Sequence, residues 1–378
     1  MVIWIFILRI INFHIIRTIR LINFLNYNIE YLKINVFLKR EKIFNLVYDL
    51  KCQSLAIGNF AIQLFLARYF SLKKKKIRIF IINDVIRSDH DFRLDEKKKI
   101  YYDQFIQLTN LYVQKNLLEI KICSFQEFIE IISEKNFYKN NYIFERKRVL
   151  SRFKTETGYL LNKLTINENI NFVKRYLLAK EDFFNYCSKK VLNFQKKKYI
   201  SLVVRYDPNI SNGLNNSLSR NIKKNSLIKT INLIKKKFSG YNIFIVSDNL
   251  GCLKAKYFLK HYLRNSNINI LFSKDYTSSI IEDIFLTINS KCVINYLAAG
   301  GTTEFVRIST TPFFGTYFMS VILMLKKQHM YDIFNKVYWW NGSHNSQVIV
   351  NSYKFKDFEI GLKKYQFNYN QKYNYSKN

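Results

Sequence analysis

Proline is almost absent from this sequence, with 2 in 378 residues, and glycine is scarce at 10. Acidic residues are outnumbered, 27 against 61 Lys and Arg, and cysteine numbers only 5. The cysteines (Cys52, Cys123, Cys187, Cys252 and Cys292) are far apart, odd in number and never spaced Cys-x-x-Cys. That argues against a disulfide framework and reads as reduced, mostly structural thiols in a cytoplasmic setting. The 5 histidines form no cluster with them, so no metal-ligating constellation is visible. The shortage of acid leaves a formal charge of +34, which calls for an anionic partner: nucleic acid, a membrane surface or a phosphorylated ligand. The basic runs are short and scattered, as at Lys73–Lys76 and Lys235–Lys237, and no nucleic-acid recognition module accompanies them, so nucleic acid ranks last. Abundant Lys, Asn, Ile, Phe and Tyr also fit AT-rich coding, which accounts for part of the basic excess.

What is present is enough apolar material, 48%, for real cores in a chain long enough for two domains. The first 24 residues are strongly apolar, but Arg9, Arg17 and Arg20 break any membrane span. On a helix they share one side with Asn12 and Asn23, while Trp4, Leu8, Ile11, Ile15, Ile19 and Ile22 share the other. Two readings stand side by side: a helix in the interface of an anionic membrane, peripheral on its inner face, or a helix packed on its own domain.

From residue 199 the pattern alternates. Strands are expected at 199–205, 242–248, 267–272, 292–297 and 311–314, and helices at 226–238, 253–264, 278–289 and 302–309. Ser279 and Glu282 have capping-box spacing at the start of the third of those helices. Apolar strands alternating with helices predict a doubly wound parallel sheet. The first half carries a weaker version: a Gly58-Asn59 turn before a helix, a strand at 77–84 and a helix at 124–136. The expected organisation is a membrane-proximal segment, 1–44, an α/β domain over 45–190, a second α/β domain over 191–350, and a tail, 351–378.

In parallel sheets, ligands bind beyond the carboxyl ends of the strands. In the second half those ends carry Arg205-Tyr206-Asp207, then Ser247-Asp248, then Ser273-Lys274-Asp275, then Gly300-Gly301-Thr302-Thr303-Glu304. Two adjacent glycines let a ligand approach the backbone, and the threonines cap a following helix whose tip favours phosphate. Arg205 can make a bidentate contact to the same group, or a surface ion pair with Asp207. Asp248 suits a sugar hydroxyl or a helix cap equally. Arg220 and Asn221 are candidate contacts from the loop after the first strand, or ordinary loop residues. Asp283 reads as structural, in the first turn of its helix. Gly58 and Asn59 face the same cleft or simply make a turn.

These stretches (VVRYDP, SRN, IFIVSDN, SSIIEDIFLTINSKCVINYLAAGGTTEF and TPFF) resemble the C-terminal half of fucosyltransferase-like GT-B glycosyltransferases. The nearest likeness is to bacterial glycosyltransferase-like proteins of surface-polysaccharide loci. LAIGNFAIQLFLARYF resembles the glycine loop and helix of the first domain in such enzymes. The resemblance implies two facing doubly wound, Rossmann-like domains of GT-B type. The second would hold a nucleotide sugar and the first a glycan or lipid-linked acceptor, with no cofactor and no metal. By position, Arg205 would neutralise the donor diphosphate, Gly301, Thr302 and Thr303 would cradle it, and Ser247 and Asp248 would meet the nucleoside or sugar. Val204 and Tyr206 stand where fucosyltransferases carry a histidine and a second arginine, a departure that leaves the donor open between hexosyl and fucosyl types and its nucleotide unassigned. No catalytic base can be assigned; Asp84, Asp89, His90 and Asp91 lie nearest the expected cleft. A chain that keeps the fold but has lost catalysis, serving as a scaffold of an assembly complex, is the rival expectation.

Overall fold

The computed structural model describes residues 42–49, 57–83, 94–144, 180–206, 221–264, 269–296, 305, 311, 313–316, 329–332, 337–340, 347–350 and 355–364. The N-terminal amphipathic segment, Asp207, Arg220, residues 300–304 and the candidate bases at 84–91 lie outside them.

Two parallel α/β units are present, as the alternating pattern predicts. The first is built on β1 (Ile43–Asp49), β2 (Ile77–Ile82), β3 (Leu118–Cys123) and β4 (Asn141–Phe144), in the order β3-β2-β1-β4. All of its pairings are parallel. Helices α1 (Ile57–Leu72) and α2 (Leu94–Tyr112) follow β1 and β2. Helix α3 (Phe125–Ser133) follows β3, opened by a full capping box between Ser124 and Glu127 that the sequence reading did not single out. A short α4 (Phe137–Asn140) leads into β4. Alternation sorts β1: Phe44, Leu46 and Tyr48 join one apolar cluster with α1 and α2, while Val47 joins a smaller one with Phe128 of α3.

The second unit contains β5 (Tyr199–Val203), β6 (Asn242–Val246), β7 (Ile270–Phe272), β8 (Val293–Asn295) and β9 (Phe313–Thr316). They pair in parallel as β7-β6-β5-β8-β9. A meander of β10 (His329–Asp332), β11 (Val337–Trp340) and β12 (Gln347–Val350) continues the sheet beyond β9. Helices α6 (Lys224–Lys237), α7 (Asn249–Arg264) and α9 (Phe355–Lys364) bury Leu227, Ile231, Ala255, Leu259 and Leu362 on one face. Helices α5 (Lys189–Phe194) and α8 (Ile280–Ile288) cover the other. The sheet is therefore wound on both faces. Helix α9 falls within the expected 351–378 tail; Leu362 is 0% exposed, so that part of the segment docks on the second unit.

The two units share one apolar cluster. It runs from Phe44, Phe70, Phe105 and Tyr112 of the first to Phe285, Ile288, Val293 and Phe305 of the second. Helix α8 sits at its centre, with every residue from Ile281 to Ile288 buried. Phe285 meets Phe183 at 5.5 Å and Phe184 edge-on at 6.3 Å, and Tyr112 meets Phe305 across the units at 5.7 Å. Full burial of such a ring is worth about 1.5–3 kcal/mol, so α8 ties the units together rather than lying on either surface.

Candidate functional site

Both sheets have a topological switch point, where successive crossovers leave in opposite directions. In the second sheet it lies between β5 and β8. Their register, Ser201 with Val293 and Val203 with Asn295, brings their carboxyl ends level, and Tyr296 N donates to Val203 O at 3.0 Å. Two residues beyond Val203 stands Arg205, and just beyond Tyr296 the chain enters the 297–304 segment. The described chain thus brings Arg205 and Tyr296, the last described residue before the Gly-Gly-Thr-Thr segment, out of neighbouring strands at the same sheet edge. Beyond β5, Val204 belongs to the outer cluster and Tyr206 packs on it, so alternation places Arg205 on the opposite face, toward the first unit. Ile222 N donates to Arg205 O at 2.9 Å, which sets Asn221 close to the arginine.

Asn295 was missed in the sequence because it closes an otherwise apolar run. It is 0% exposed and lies at the carboxyl end of β8, beside Val203 on the face that carries Arg205. An amide buried at a strand end on a switch point is a candidate contact, and its position at the end of that run was the available signal.

The next two strand ends are laced together. Ser247 Oγ donates to Val204 O at 3.0 Å, and Ser273 Oγ donates to Ser247 O at 3.2 Å. Cys252 Sγ lies 3.6 Å from Ser273 Oγ. Asp248 Oδ1 accepts from Gly251 N at 2.8 Å, so Asp248 caps α7, one of the two roles open to it in the sequence. The cap brings the chain so close that a Cβ at Gly251 would lie 1.9 Å from Ser247 Oγ and 2.8 Å from its Cβ; this glycine is required by contact. Ser247 and Asp248 therefore serve to fix the rim.

Below the rim, Asp283 is 4% exposed. Lys274 Nζ donates to its Oδ2 at 2.5 Å and Thr277 Oγ1 to its Oδ1 at 2.6 Å. Burial pushes the Asp283 carboxyl above its ordinary value, with Lys274 and Thr277 partly offsetting the rise. Its neighbour Glu282, 2% exposed, behaves oppositely. Burial alone would raise it, but hydrogen bonds from Ser278 and Ser188 carry it below the ordinary value. Ser279 accepts from Glu282 N as the capping box requires, at 3.2 Å. The carboxylate itself turns elsewhere, to Ser278 N at 2.7 Å and to Ser188 N at the start of α5 at 2.8 Å. Both acids are structural, which agrees with the expectation for Asp283. Among the described residues Cys123, Cys187, Cys252 and Cys292 are thiols and not disulfides, and burial pushes the thiols of Cys252 and Cys292 up, away from reactivity.

In the first unit, Gly58 and Asn59 lie within α1, which starts at Ile57, and not in a turn before it. They still fall near the amino end of the helix that follows β1, on the switch-point side of the first sheet.

No protein-family model matches the chain, and no curated protein matches it. Among solved structures it is similar to the E. coli heptosyltransferase WaaC with ADP, at 8% identity and TM-score 0.44, over 85% of this chain and 98% of that one. It is also similar to a glycosyl transferase family 9 protein from Veillonella parvula, at 9% identity and TM-score 0.43, over 86% and 90%. A third is the UDP-GlcNAc 2-epimerase of Methanocaldococcus jannaschii, at 12% identity and TM-score 0.35, over 88% and 94%. Identities and scores this low do not bear on what this chain binds, and the functional reading rests on its own residues.

Proposed function

We propose that the chain is a glycosyltransferase that moves a sugar from a nucleotide-sugar donor to a surface-polysaccharide or lipid-linked glycan acceptor, without a metal. The observation that carries this reading is the β5/β8 switch point: Arg205 leaves β5 beside the strand whose continuation is Gly300-Gly301-Thr302-Thr303. In the reaction an acceptor hydroxyl oxygen bonds to the anomeric carbon and loses its proton. The bond from that carbon to the diphosphate breaks, and the nucleoside diphosphate leaves with the electron pair. The negative charge that grows on the leaving group needs fixed positive partners in the transition state. Arg205 would supply a guanidinium, and a helix tip at 302–303 would add backbone N–H groups. Asn221 and Asn295 would orient the donor from either side of Arg205, while Ser247 and Asp248 hold the rim in shape. Glu304, Asp207 and Arg220 would complete the edge of the site, and the helix opened by Gly58 and Asn59 would face the acceptor.

The test is a screen of the full chain against UDP, GDP, ADP and CMP sugars, reading both thermal stabilisation and release of the free nucleotide. Stabilisation by one nucleotide class, with slow hydrolysis of its sugar, is the expected result. Stabilisation without hydrolysis or transfer of any donor would assign the scaffold role instead. No stabilisation by any of them would refute a donor site.

A further inference from the structure

We propose that the outer face of α7 is a docking surface for an anionic lipid bilayer. The proposal rests on this surface alone and stands whether or not the rim takes a sugar nucleotide. Helix α7 packs inward through Cys252, Ala255 and Leu259, which are 0–2% exposed. On the opposite side Leu250, Leu253 and Tyr257 are 44%, 63% and 71% exposed. At about 100° per residue these three fall within an arc of about 60°. They form a single ridge of large apolar side chains exposed to solvent among the described residues.

The charge within the helices of this layer has one sign; acids at its border include Asp248, which caps α7, and Asp275, which pairs with Lys256. The sequence of α7, NLGCLKAKYFLKHYLR, contains no acid, and neither does that of the adjacent α6, KNSLIKTINLIKKK. Tyr262 of α7 donates to Asn232 of α6, which joins the two into one layer. Lys256 is paired with Asp275 at 2.5 Å, so its charge is already matched. Lys260 and His261 are exposed beside the ridge. Lys254 lies over the rings of Tyr206, Tyr257 and Phe258 at 5.0–5.4 Å, which holds its amine at the ridge's flank.

An apolar ridge bordered by lysine stems is the pattern of a helix lying in the headgroup layer, with apolar tips among acyl chains and amines at the phosphates. Other occupants fit less well. RNA would use the lysines but leave Leu250 and Leu253 facing water. A second copy of the chain would bring two acid-free layers face to face. The amino end of α7 lies at the rim, so a bilayer on this face would border the crevice beside Arg205.

The experiment is flotation of the full chain with vesicles of equal parts phosphatidylglycerol and phosphatidylcholine, and with phosphatidylcholine alone. The parent chain is expected to bind the first far better than the second. Replacing Leu250, Leu253 and Tyr257 together by Ser should lower vesicle binding about tenfold or more, with the thermal midpoint unchanged because all three are exposed. Lys254→Gln and Lys260→Gln should each lower binding to the anionic vesicles about fivefold. Tyr257→Trp should add fluorescence that lipids brominated in their acyl chains quench. Unchanged flotation of the triple-serine variant, or no added quenching at position 257, would overturn the proposal, whatever the N-terminal segment contributes. So would a dimer that the triple variant dissociates while flotation stays the same, or RNA binding in place of vesicle binding.

Discussion

The two switch points are built alike, but their buried asparagines lie at opposite ends of the strands. Each lies in a parallel sheet of the same local strand order, and each has a fully buried asparagine beside it. In the first unit that residue is Asn45, near the amino end of β1. Its Nδ2 lies 3.1 Å from both Asn141 Oδ1 and Tyr142 O, stitching β1 to β4 at the end of the sheet away from the ligand edge. In the second unit it is Asn295, at the carboxyl end of β8, level with the strand end that leads to Arg205. The same side chain thus serves as a strand clamp at one end of a sheet and as a candidate ligand contact at the other. Position along the strand, more than residue type or burial, separates structure from site.

The largest expected effect concerns what joins the two units. Phe285→Ala empties the middle of the shared cluster and should cost about 3–5 kcal/mol, read by denaturant unfolding. Because α8 contacts both units, the transition should also split in two, with nucleotide binding following the second unit; a single shifted transition would show that the units do not separate there.

Next is the buried pair under the second rim. Lys274→Ala leaves the Asp283 carboxylate without its amine, and because the lysine is itself part-exposed we expect about 2–4 kcal/mol, near the lower end for a broken buried pair. Adding Asp283→Asn should recover much of it. The pH sign follows from the raised carboxyl. Its favourable contribution is present below the ordinary carboxylate range and is lost as pH rises through the raised value. The defect of Lys274→Ala should therefore be largest near neutrality and shrink on acidification. Glu282, held below its ordinary value, has the opposite sign: its contribution is present above the ordinary range and is lost as pH falls through the lowered value.

The asparagines give the sharpest contrast. Asn45→Ala should lower stability by about 1–3 kcal/mol and leave nucleotide affinity alone. Asn295→Ala should weaken nucleotide affinity beyond any loss of stability. Equal effects of the two on affinity would erase the distinction between the switch points. The smallest effect is expected at Asp248→Ala, about 1 kcal/mol from the lost cap, with Asp248→Asn close to the parent because an amide oxygen caps as well.

Much of the second unit was legible in the sequence because its apolar strands and amphipathic helices alternate without interruption. The Ser279 cap was readable too, from its spacing to Glu282. The first unit was harder. Strand β1 (IFNLVYD) and the mixed-charge start of α2 (LDEKKK) show no clear period, and β3 (LEIKIC) alternates polar and apolar as an edge strand does. The Gly58-Asn59 pair read as a turn because local propensity says so, yet burial of Phe60, Leu64 and Ala67 against β1 extends the helix back through it. At the site, sequence located the strand ends but could not say which polar groups are already engaged. The folded chain is what turns Ser247 and Asp248 to their neighbours and puts Asn295 on the same face as Arg205.

The account depends on Arg205 serving a diphosphate at the β5/β8 edge. Titration calorimetry of the full chain and of Arg205→Ala with the nucleoside diphosphate that stabilises it tests this most directly. The account predicts a loss of affinity of about 10–100-fold, the worth of a charge-assisted contact, with the thermal midpoint of the free protein little changed. Equal affinity of the two proteins would contradict it.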